Sequence, residues 1–476
     1  MNIGIVASEA VPYVKTGGLA DVTGTLFNVF GRMGNTVYLF LPYYKTINNV
    51  DNAEKVAEIS VKIGSEEITG NVLTQKTENG TVIFIEQDYY FGRDNLYGTK
   101  EGDYPDNAER FGFFDIAVLE AIKKLSLEID VLHINDWQSG LIPLFIKDRG
   151  LKMGTLFTIH NLGYQGNFEQ GILDMLHINR KYFTMDSLEF YGNVSFLKSG
   201  IVYSTYLSTV SPTYAKEIQT PEYGVGMDGI LRARKDHLVG ILNGIDYSAW
   251  NPQTDTLIFK NYSETNLYGK LVNKQELSKE IGIDTENKPL FGMVSRLAGQ
   301  KGVDILADAL DSFLKEDVRV VILGTGEKKL ENALVSLEKK FPDKIKALIK
   351  FDNTLAHKIY AASDFFMMPS RYEPCGLGQL IALKYGSVPI VRETGGLKDT
   401  IDNYNEYTHC GNGLSFNEYS SNALYDTLIY ANKIYNNKPV YENMQRVGMQ
   451  CDFSWNRSAH KYIEIFEKIK KEVTTQ

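Results

Sequence analysis

Short, near-continuous apolar runs, separated by stretches with helical spacing, limit the fold more than any other feature of this chain. NIGIVAS (2–8), TVYLFLP (36–42), TVIFIEQ (81–87), DVLHIND (130–136), TLFTIHN (155–161), YLSTVSP (206–212) and LVGILNG (238–244) read as strands. Runs without polar alternation suit a parallel sheet covered by helices on both faces. Between them, 18–33 carries Leu19, Val22, Leu26, Val29 and Phe30 three and four apart, and 106–125 repeats that spacing. Repeated βαβ patterning predicts a doubly wound α/β domain.

The pattern then restarts. PLFGMVSR (289–296), VRVVILGTG (318–326), KALIKFD (346–352), SDFFMMPSR (363–371) and SVPIVRET (387–394) are strand candidates, with helical segments near 301–316, 327–340, 354–362, 376–386 and 421–436. The turn-rich stretch NGIDYSAWNPQTD (243–255) marks the boundary between two such domains. The last segment places Trp455, Ala459, Tyr462, Ile463, Phe466 and Ile469 at helical spacing, an apolar stripe that must be covered. A division into 1–242, 243–455 and a crossing C-terminal helix at 456–476 follows. The length of 476 residues agrees with two or three domains at about 150 residues each.

Composition narrows the class. Hydrophobic residues make up 43% and charged residues 23%, as in an ordinary globular protein rather than a disordered or collagen-like chain. With 50 basic and 59 acidic residues the net charge is −9, which gives no reason to expect a nucleic acid or an anionic membrane as partner. Three cysteines fit a reducing compartment without a disulfide framework. The opening MNIGIVASEAVPYVKTGG has no basic region, and Glu9 interrupts its apolar run, so no secretory signal is expected. No apolar stretch approaches the roughly 18 residues of a bilayer span. The expectation is a soluble, cytoplasmic protein.

The tetrapeptide TGGL occurs twice, at 16–19 and 394–397, each copy read as lying just after a strand and just before a helix. Ligands of open α/β sheets bind beyond the carboxyl ends of the strands, so one such loop per domain suggests one ligand between two sheets. In the first loop, Lys15 supplies charge, and the adjacent glycines allow close backbone approach to a phosphate; a tight turn with a solvated lysine is the plain alternative. Arg296, read as ending a strand, and Lys301, read as opening a helix, are two cations at one sheet edge. They suit a diphosphate, and a lysine at a helix start opposes the helix dipole. Glu373, beyond another strand, could accept from sugar hydroxyls, whereas Cys375 reads as a small buried apolar residue. His160 and Asp136 end strands in the same manner. Trp137 offers a flat face for a sugar or for helix packing. The seven histidines are scattered, and no metal-ligand motif or G-x-S-x-G elbow occurs.

Taken together, SEAVPYVKTGGLADV, DYPDNAERF, HINDWQSGL, FTIHNLGYQG, TVSPTYAKEI, YGVGMDGIL, ILNGID, VSRLAGQKG, LGTGE, YAASDFFMMPSRYEPCGLGQL, TGGLKDT and FSWNRSAHKYIEIF span almost the whole chain. In this order they resemble bacterial glycogen synthases and plant starch synthases, which are nucleotide-sugar glucosyltransferases of the GT-B fold. The resemblance implies two Rossmann-like doubly wound domains facing each other across a cleft. It also implies retaining transfer of glucose from ADP-glucose to the non-reducing end of an α-1,4-glucan, with no cofactor or catalytic metal. By the same resemblance Lys15, Gly18 and Asp21 of KTGGLADV belong at the donor phosphates, and Arg296 and Lys301 at the leaving nucleoside diphosphate. Glu373 belongs near the donor glucose with Cys375, Gly376 and Leu377 beside it, His160 near the transferring sugar, and Asp136 on the acceptor side. Asn161, Asn243, Glu9 and Thr394 are further substrate contacts. Three positions depart from the family's usual pattern: Gln138 follows Asp136-Trp137 where a histidine is usual, Gly378 follows EPCGL where Thr or Ser is common, and Lys398 stands in the second TGGL segment.

Three other readings compete with this one. A related transferase using UDP-glucose or another acceptor differs in donor competition. A catalytically silent glucan-binding paralogue would lack ADP release, yet Lys15, His160, Arg296, Lys301 and Glu373 are all of the matching type. A nucleotide-binding oxidoreductase would need the G-x-G-x-x-G fingerprint, which is missing.

Overall fold

A computed structural model describes residues 1–475; Gln476, the last residue of the expected C-terminal helix, lies outside them. The chain divides into two compact units, one built from Met1–Val210, Ala215–Ile241 and Trp455–Gln476, the other from Ser211–Tyr214 and Leu242–Ser454. The segment Ser211–Tyr214, assigned by sequence to the first domain, groups with the second because Asp399 holds it. The Thr213 hydroxyl donates to Oδ1 at 2.6 Å, and its backbone N–H donates to Oδ2 at 2.8 Å.

The first unit is a nine-stranded sheet. Its strands are β1 (Asn2–Val6), β2 (Thr36–Pro42), β3 (Glu54–Ile63), β4 (Glu66–Thr77), β5 (Gly80–Glu86), β6 (Val131–Asn135), β7 (Gly154–Ile159), β8 (Tyr206–Thr209) and β9 (Leu238–Gly240). The spatial order is β9-β8-β7-β6-β1-β2-β5-β4-β3. From β9 to β5 every pairing is parallel, while β3 and β4 form an antiparallel hairpin on one edge. That hairpin was not expected. Toward its turn β3 alternates exposed and buried residues, since one face meets solvent, so it lacks the apolar run that marks the central strands. The strand order reverses between β1 and β6, which makes their carboxyl ends the switch point where ligands bind in such sheets.

Helix α1 (Gly18–Arg32) buries Leu19, Val22, Leu26, Val29 and Phe30, as the spacing predicts. Helix α2 (Asn107–Lys124) buries most of its length. The C-terminal helix (Trp455–Thr475) packs on α1, with Phe30 meeting Phe466 edge-on at 5.5 Å between centroids.

The second unit is a six-stranded, wholly parallel sheet of β10 (Leu290–Val294), β11 (Arg319–Leu323), β12 (Ile345–Leu348), β13 (Phe365–Met368), β14 (Val388–Arg392) and β15 (Leu414–Phe416). Its order, β12-β11-β10-β13-β14-β15, is that of a doubly wound nucleotide-binding sheet with the switch between β10 and β13. Helices α3 (Tyr268–Ile281), α4 (Val303–Phe313), α5 (Asn353–Ala362), α6 (Gly378–Lys384) and α7 (Gly395–Thr400) flank it. A separate core cluster covers each sheet face; on one of them Phe291 of β10 stacks on Phe365 of β13 at 5.0 Å. No helix among the described residues is long and apolar enough to cross a membrane.

Candidate active site

In the first unit, the chain beyond β1 builds a loop around one carboxylate. Glu9 is buried, and its oxygens accept the backbone N–H of Thr16, the Gly17 N–H at 3.1 Å, and the hydroxyls of Thr16 and Tyr97, each at 3.0 Å. An ionised carboxylate can only accept, so it suits a site that presents only donors. Glu9 is thereby the anchor that shapes the entry to α1. Tyr97, which no sequence motif singled out, completes it. The first TGGL copy does not directly follow a strand, because the segment 7–15 intervenes between β1 and Thr16.

Lys15 projects from this loop, exposed, and pairs with half-buried Asp21 at 2.7 Å. A Cβ on Gly18 would meet no protein atom within 4 Å, and Gly18 does not have the positive φ that favours glycine. Neither packing nor backbone conformation therefore requires glycine there. The second copy is different. A Cβ on Gly395 would lie 1.9 Å from the Glu373 carbonyl oxygen, and one on Gly396 2.1 Å from that of Cys375. The same tetrapeptide is an open loop in one unit and, in the other, a close-packed bed for the segment carrying Glu373.

Asp136 follows β6 with φ 57° and ψ −178°, a conformation that non-glycine residues hold only under constraint from their surroundings. Its Oδ1 accepts the His160 backbone N–H at 2.8 Å. Loss of water pushes its carboxyl up to about 7, helped by the charge of Glu9 and opposed by the N–H groups of His160 and Asn161. His160 Nε2 lies 2.9 Å from Asn135 Oδ1, while the Asn135 amide donates to the carbonyls of Val6 and His133. The Asn135 oxygen can only accept, so His160 carries its proton on Nε2 and leaves Nδ1 as the lone-pair nitrogen. Burial pushes His160 down to about 3, so the ring is neutral at physiological pH. The Asn161 side chain accepts from the Gly163 N–H at 3.0 Å. Trp137, partly buried, packs against Phe111 and Phe168 at 5.1 and 5.5 Å.

In the second unit the switch point gathers charge. Arg296 lies beyond β10, exposed, and donates to Gln300 Oε1 at 3.1 Å. Lys301 does not open a helix as the sequence suggested. It closes a 3-10 turn, Gly299–Lys301, and Gly302 at φ +72° separates it from α4. A Cβ on Gly302 would lie 1.9 Å from the Pro369 carbonyl oxygen, so this turn rests directly on the chain leaving β13. That contact brings Lys301 Nζ to 2.6 Å from Glu373 Oε2, which also accepts the Ser370 hydroxyl at 3.0 Å. Glu373 is buried, and its partner is about one-fifth exposed.

Beyond Glu373, Cys375 is buried, its thiol pushed up to about 12 by burial, with the Asn243 backbone N–H directed at the sulfur. It is a protonated core residue, in agreement with the plain reading of it. Gly376 takes φ +71° and Leu377 leads into α6. Gln379 Nε2 donates to the carbonyls of Cys375 and Gly376, both at 3.0 Å, and so fixes this bend. Thr394 stands at the N-cap position of α7, and Asn243 is buried with its Oδ1 unpartnered. A cavity of about 250 Å³ opens among Arg296, Lys301, Tyr360, Ser370, Glu373 and Gly378. Ser370, Gln379 and Tyr360 carry no distinct sequence signal: all three sit inside the segment YAASDFFMMPSRYEPCGLGQL without a chemistry of their own, Tyr360 at its start on α5. A larger cavity of about 710 Å³ in the first unit contains none of the nominated residues, and its Lys198 is tied to the carbonyls of Met185 and Glu189. Among the described residues no group of three or more His, Cys, Asp or Glu side chains is placed to hold a metal ion.

Two family descriptions match the chain: Starch synthase catalytic domain over residues 2–233, and Glycosyl transferases group 1 over 273–448. The glycogen synthase of Thermodesulfovibrio yellowstonii is 45% identical, covering 98% of this chain and 97% of the relative. The chain belongs to the glycogen synthase and starch synthase family. The glycogen synthase of Clostridium beijerinckii is likewise 45% identical over 98% of the chain and 99% of its own length. The catalytic domain of starch synthase IV from Arabidopsis thaliana, solved with ADP and acarbose, matches at a TM-score of 0.90 and 31% identity, covering 99% of both chains. A sucrose-phosphate synthase from Thermosynechococcus elongatus matches at 0.63 with 15% identity and shares the fold alone. As a member of this family the protein is a GT-B glucosyltransferase.

Proposed function

We propose that the protein transfers glucose from ADP-glucose to the non-reducing 4-hydroxyl of an α-1,4-glucan, with retention, and releases ADP. The observation that carries this reading is the Lys301–Glu373 pair, 2.6 Å apart beside Arg296 at the switch point of the second sheet. A cation already fixed beside a carboxylate does not need to reorganise when charge develops on the departing diphosphate.

Arg296 and Lys301 neutralise the leaving ADP, and Lys15 exchanges Asp21 for a phosphate oxygen. The open space over Gly18 admits the same group. Glu373 accepts from hydroxyls of the donor glucose, with its second oxygen available while Oε2 holds Lys301 and Ser370. Neutral His160 offers the Nδ1 lone pair to a hydroxyl of the transferring sugar, and Asp136, ionised above about pH 7, accepts from the acceptor hydroxyl. Thr394, Cys375, Gly376, Leu377 and Asn243 act by shaping the segment that presents Glu373. The donor is the only small molecule this scheme requires besides the glucan. Retention without a placed nucleophile points to front-face attack assisted by the departing phosphate. The three unpaired cysteines fit a cytoplasmic setting.

The test is donor competition: radiolabelled glucose offered as ADP-glucose or UDP-glucose with glycogen as acceptor. The reading expects preferential incorporation from ADP-glucose with stoichiometric ADP. Binding of glycogen without ADP release removes it.

A further inference from the structure

Tyr360 lies on α5 with 4% of its surface exposed. Its ring is held by packing: it stacks on Phe366 at 4.5 Å and 24°, and meets Trp250 edge-on at 5.5 Å. Its hydroxyl makes no hydrogen bond among the described residues. Neighbouring buried tyrosines behave otherwise. Tyr262 donates to the Tyr385 carbonyl at 2.8 Å, Tyr385 to Asp255 at 2.5 Å, and Tyr441 to Asp364 at 2.8 Å. A hydroxyl held this firmly, without a protein partner and still reaching accessible space, calls for an explanation.

Its position supplies one. Tyr360 forms part of the wall of the cavity that holds Arg296, Lys301, Ser370 and Glu373. Gly378 lines the same cavity beside it, and its backbone does not have a positive φ. A Cβ on residue 378 would lie 3.2 Å from the Tyr360 hydroxyl oxygen and 3.1 Å from Met368 Sδ. Glycine here keeps open the space between the hydroxyl and the cavity. Burial raises the Tyr360 phenol well above its ordinary range, so it stays protonated and can donate at any working pH.

We propose that Tyr360 is a donor-substrate-binding residue whose hydroxyl, passing over Gly378, donates a hydrogen bond to a phosphate oxygen of the nucleoside diphosphate held by Arg296 and Lys301. This rests on the donor reading given above. A phosphate oxygen is the acceptor chosen because Arg296 and Lys301 line the same cavity, two cations against the single carboxylate of Glu373, and a hydrogen bond to a charged acceptor is the stronger kind.

The test is calorimetric binding of ADP to the full chain, with steady-state kinetics alongside. Tyr360→Phe keeps the ring and its packing and removes only the oxygen, so folding is preserved. The expected result is an ADP Kd and an ADP-glucose KM raised about tenfold, with glucan KM unchanged. The double variant Tyr360→Phe, Gly378→Ser returns a hydroxyl from position 378 into the space the phenol vacates, and recovers most of the lost affinity. ADP binding by Tyr360→Phe within about twofold of the parent overturns the proposal while leaving the donor reading in place. Failure of the parent itself to bind ADP overturns the donor reading, and this proposal with it.

Discussion

Lys301 Nζ and Glu373 Oε2 stand 2.6 Å apart although 72 positions separate them in the chain. The pair exists because β10 and β13 are neighbours at the point where the strand order reverses, and because Gly302 lets the turn carrying Lys301 settle onto the Pro369 carbonyl. Electrostatics and backbone geometry meet in one place, so they can be separated by mutation.

Gly302→Ala attacks the geometry alone. Its Cβ would fall 1.9 Å from the Pro369 oxygen at a φ of +72°. The left-handed backbone alone costs about 1 kcal/mol or more for alanine. Denaturant unfolding is expected to show at least that loss, with turnover falling because Lys301 is displaced.

Gly18→Ala is the counterpart. No protein atom lies within 4 Å of the added methyl, and alanine favours the start of α1. Stability is expected to stay level or rise slightly, while the ADP-glucose KM rises about tenfold because the methyl occupies the phosphate's space. Unchanged kinetics would show that this space is not used by the donor.

Glu9→Gln keeps the shape but turns an amide N–H₂ toward donors that need an acceptor: the N–H groups of Thr16 and Gly17 and the hydroxyls of Thr16 and Tyr97. Each mismatched buried donor costs about 1–3 kcal/mol. Thermal unfolding is expected to show a lowered Tm, together with a raised donor KM from the disordered loop.

Asp136 gives a pH signature. Its folded pKa of about 7 lies above the 3.8 of a free aspartate, so between those values the folded state holds a proton that the unfolded state has released. Stability therefore falls as pH rises through that window and levels off above it. Asp136→Asn is expected to flatten this slope in denaturation at several pH values. If the ionised form accepts from the glucan hydroxyl, kcat/KM for glucan rises through about pH 7 in the parent and loses that limb in the variant. A rise with the same midpoint in Asp136→Asn assigns the titration elsewhere. His160, held down to about 3, contributes no limb near neutrality.

The sequence is informative about this protein to an uneven degree, for physical reasons. Strands buried on both faces, such as Thr36–Pro42, are continuous apolar runs and are visible as such. The edge hairpin Glu54–Ile63 with Glu66–Thr77 is partly solvated and charged, so it passes for loop. Helix Tyr268–Ile281 has little apolar stripe, because buried Lys270 and Lys274 stand where apolar residues would; Lys270 Nζ is held by carbonyls of Ala361 and Tyr385, and Lys274 by Asp364. Of the proposed site residues, Asp136, His160, Arg296 and Glu373 lie just beyond strands, where residue type and position draw notice in the sequence, whereas Lys15 and Lys301 sit on loops. The pairings are not legible there, since the Lys301–Glu373 contact and the approach of the Tyr360 hydroxyl to Gly378 depend on which strands and helices become neighbours.

The most direct measurement is turnover of Lys301→Ala at saturating ADP-glucose and glycogen. One preorganised charge contact is worth about 3 kcal/mol in the transition state, so kcat is expected to fall about 10²-fold with a much smaller change in donor KM. A variant that turns over at nearly the parent rate would contradict the assignment of Lys301 to the departing diphosphate.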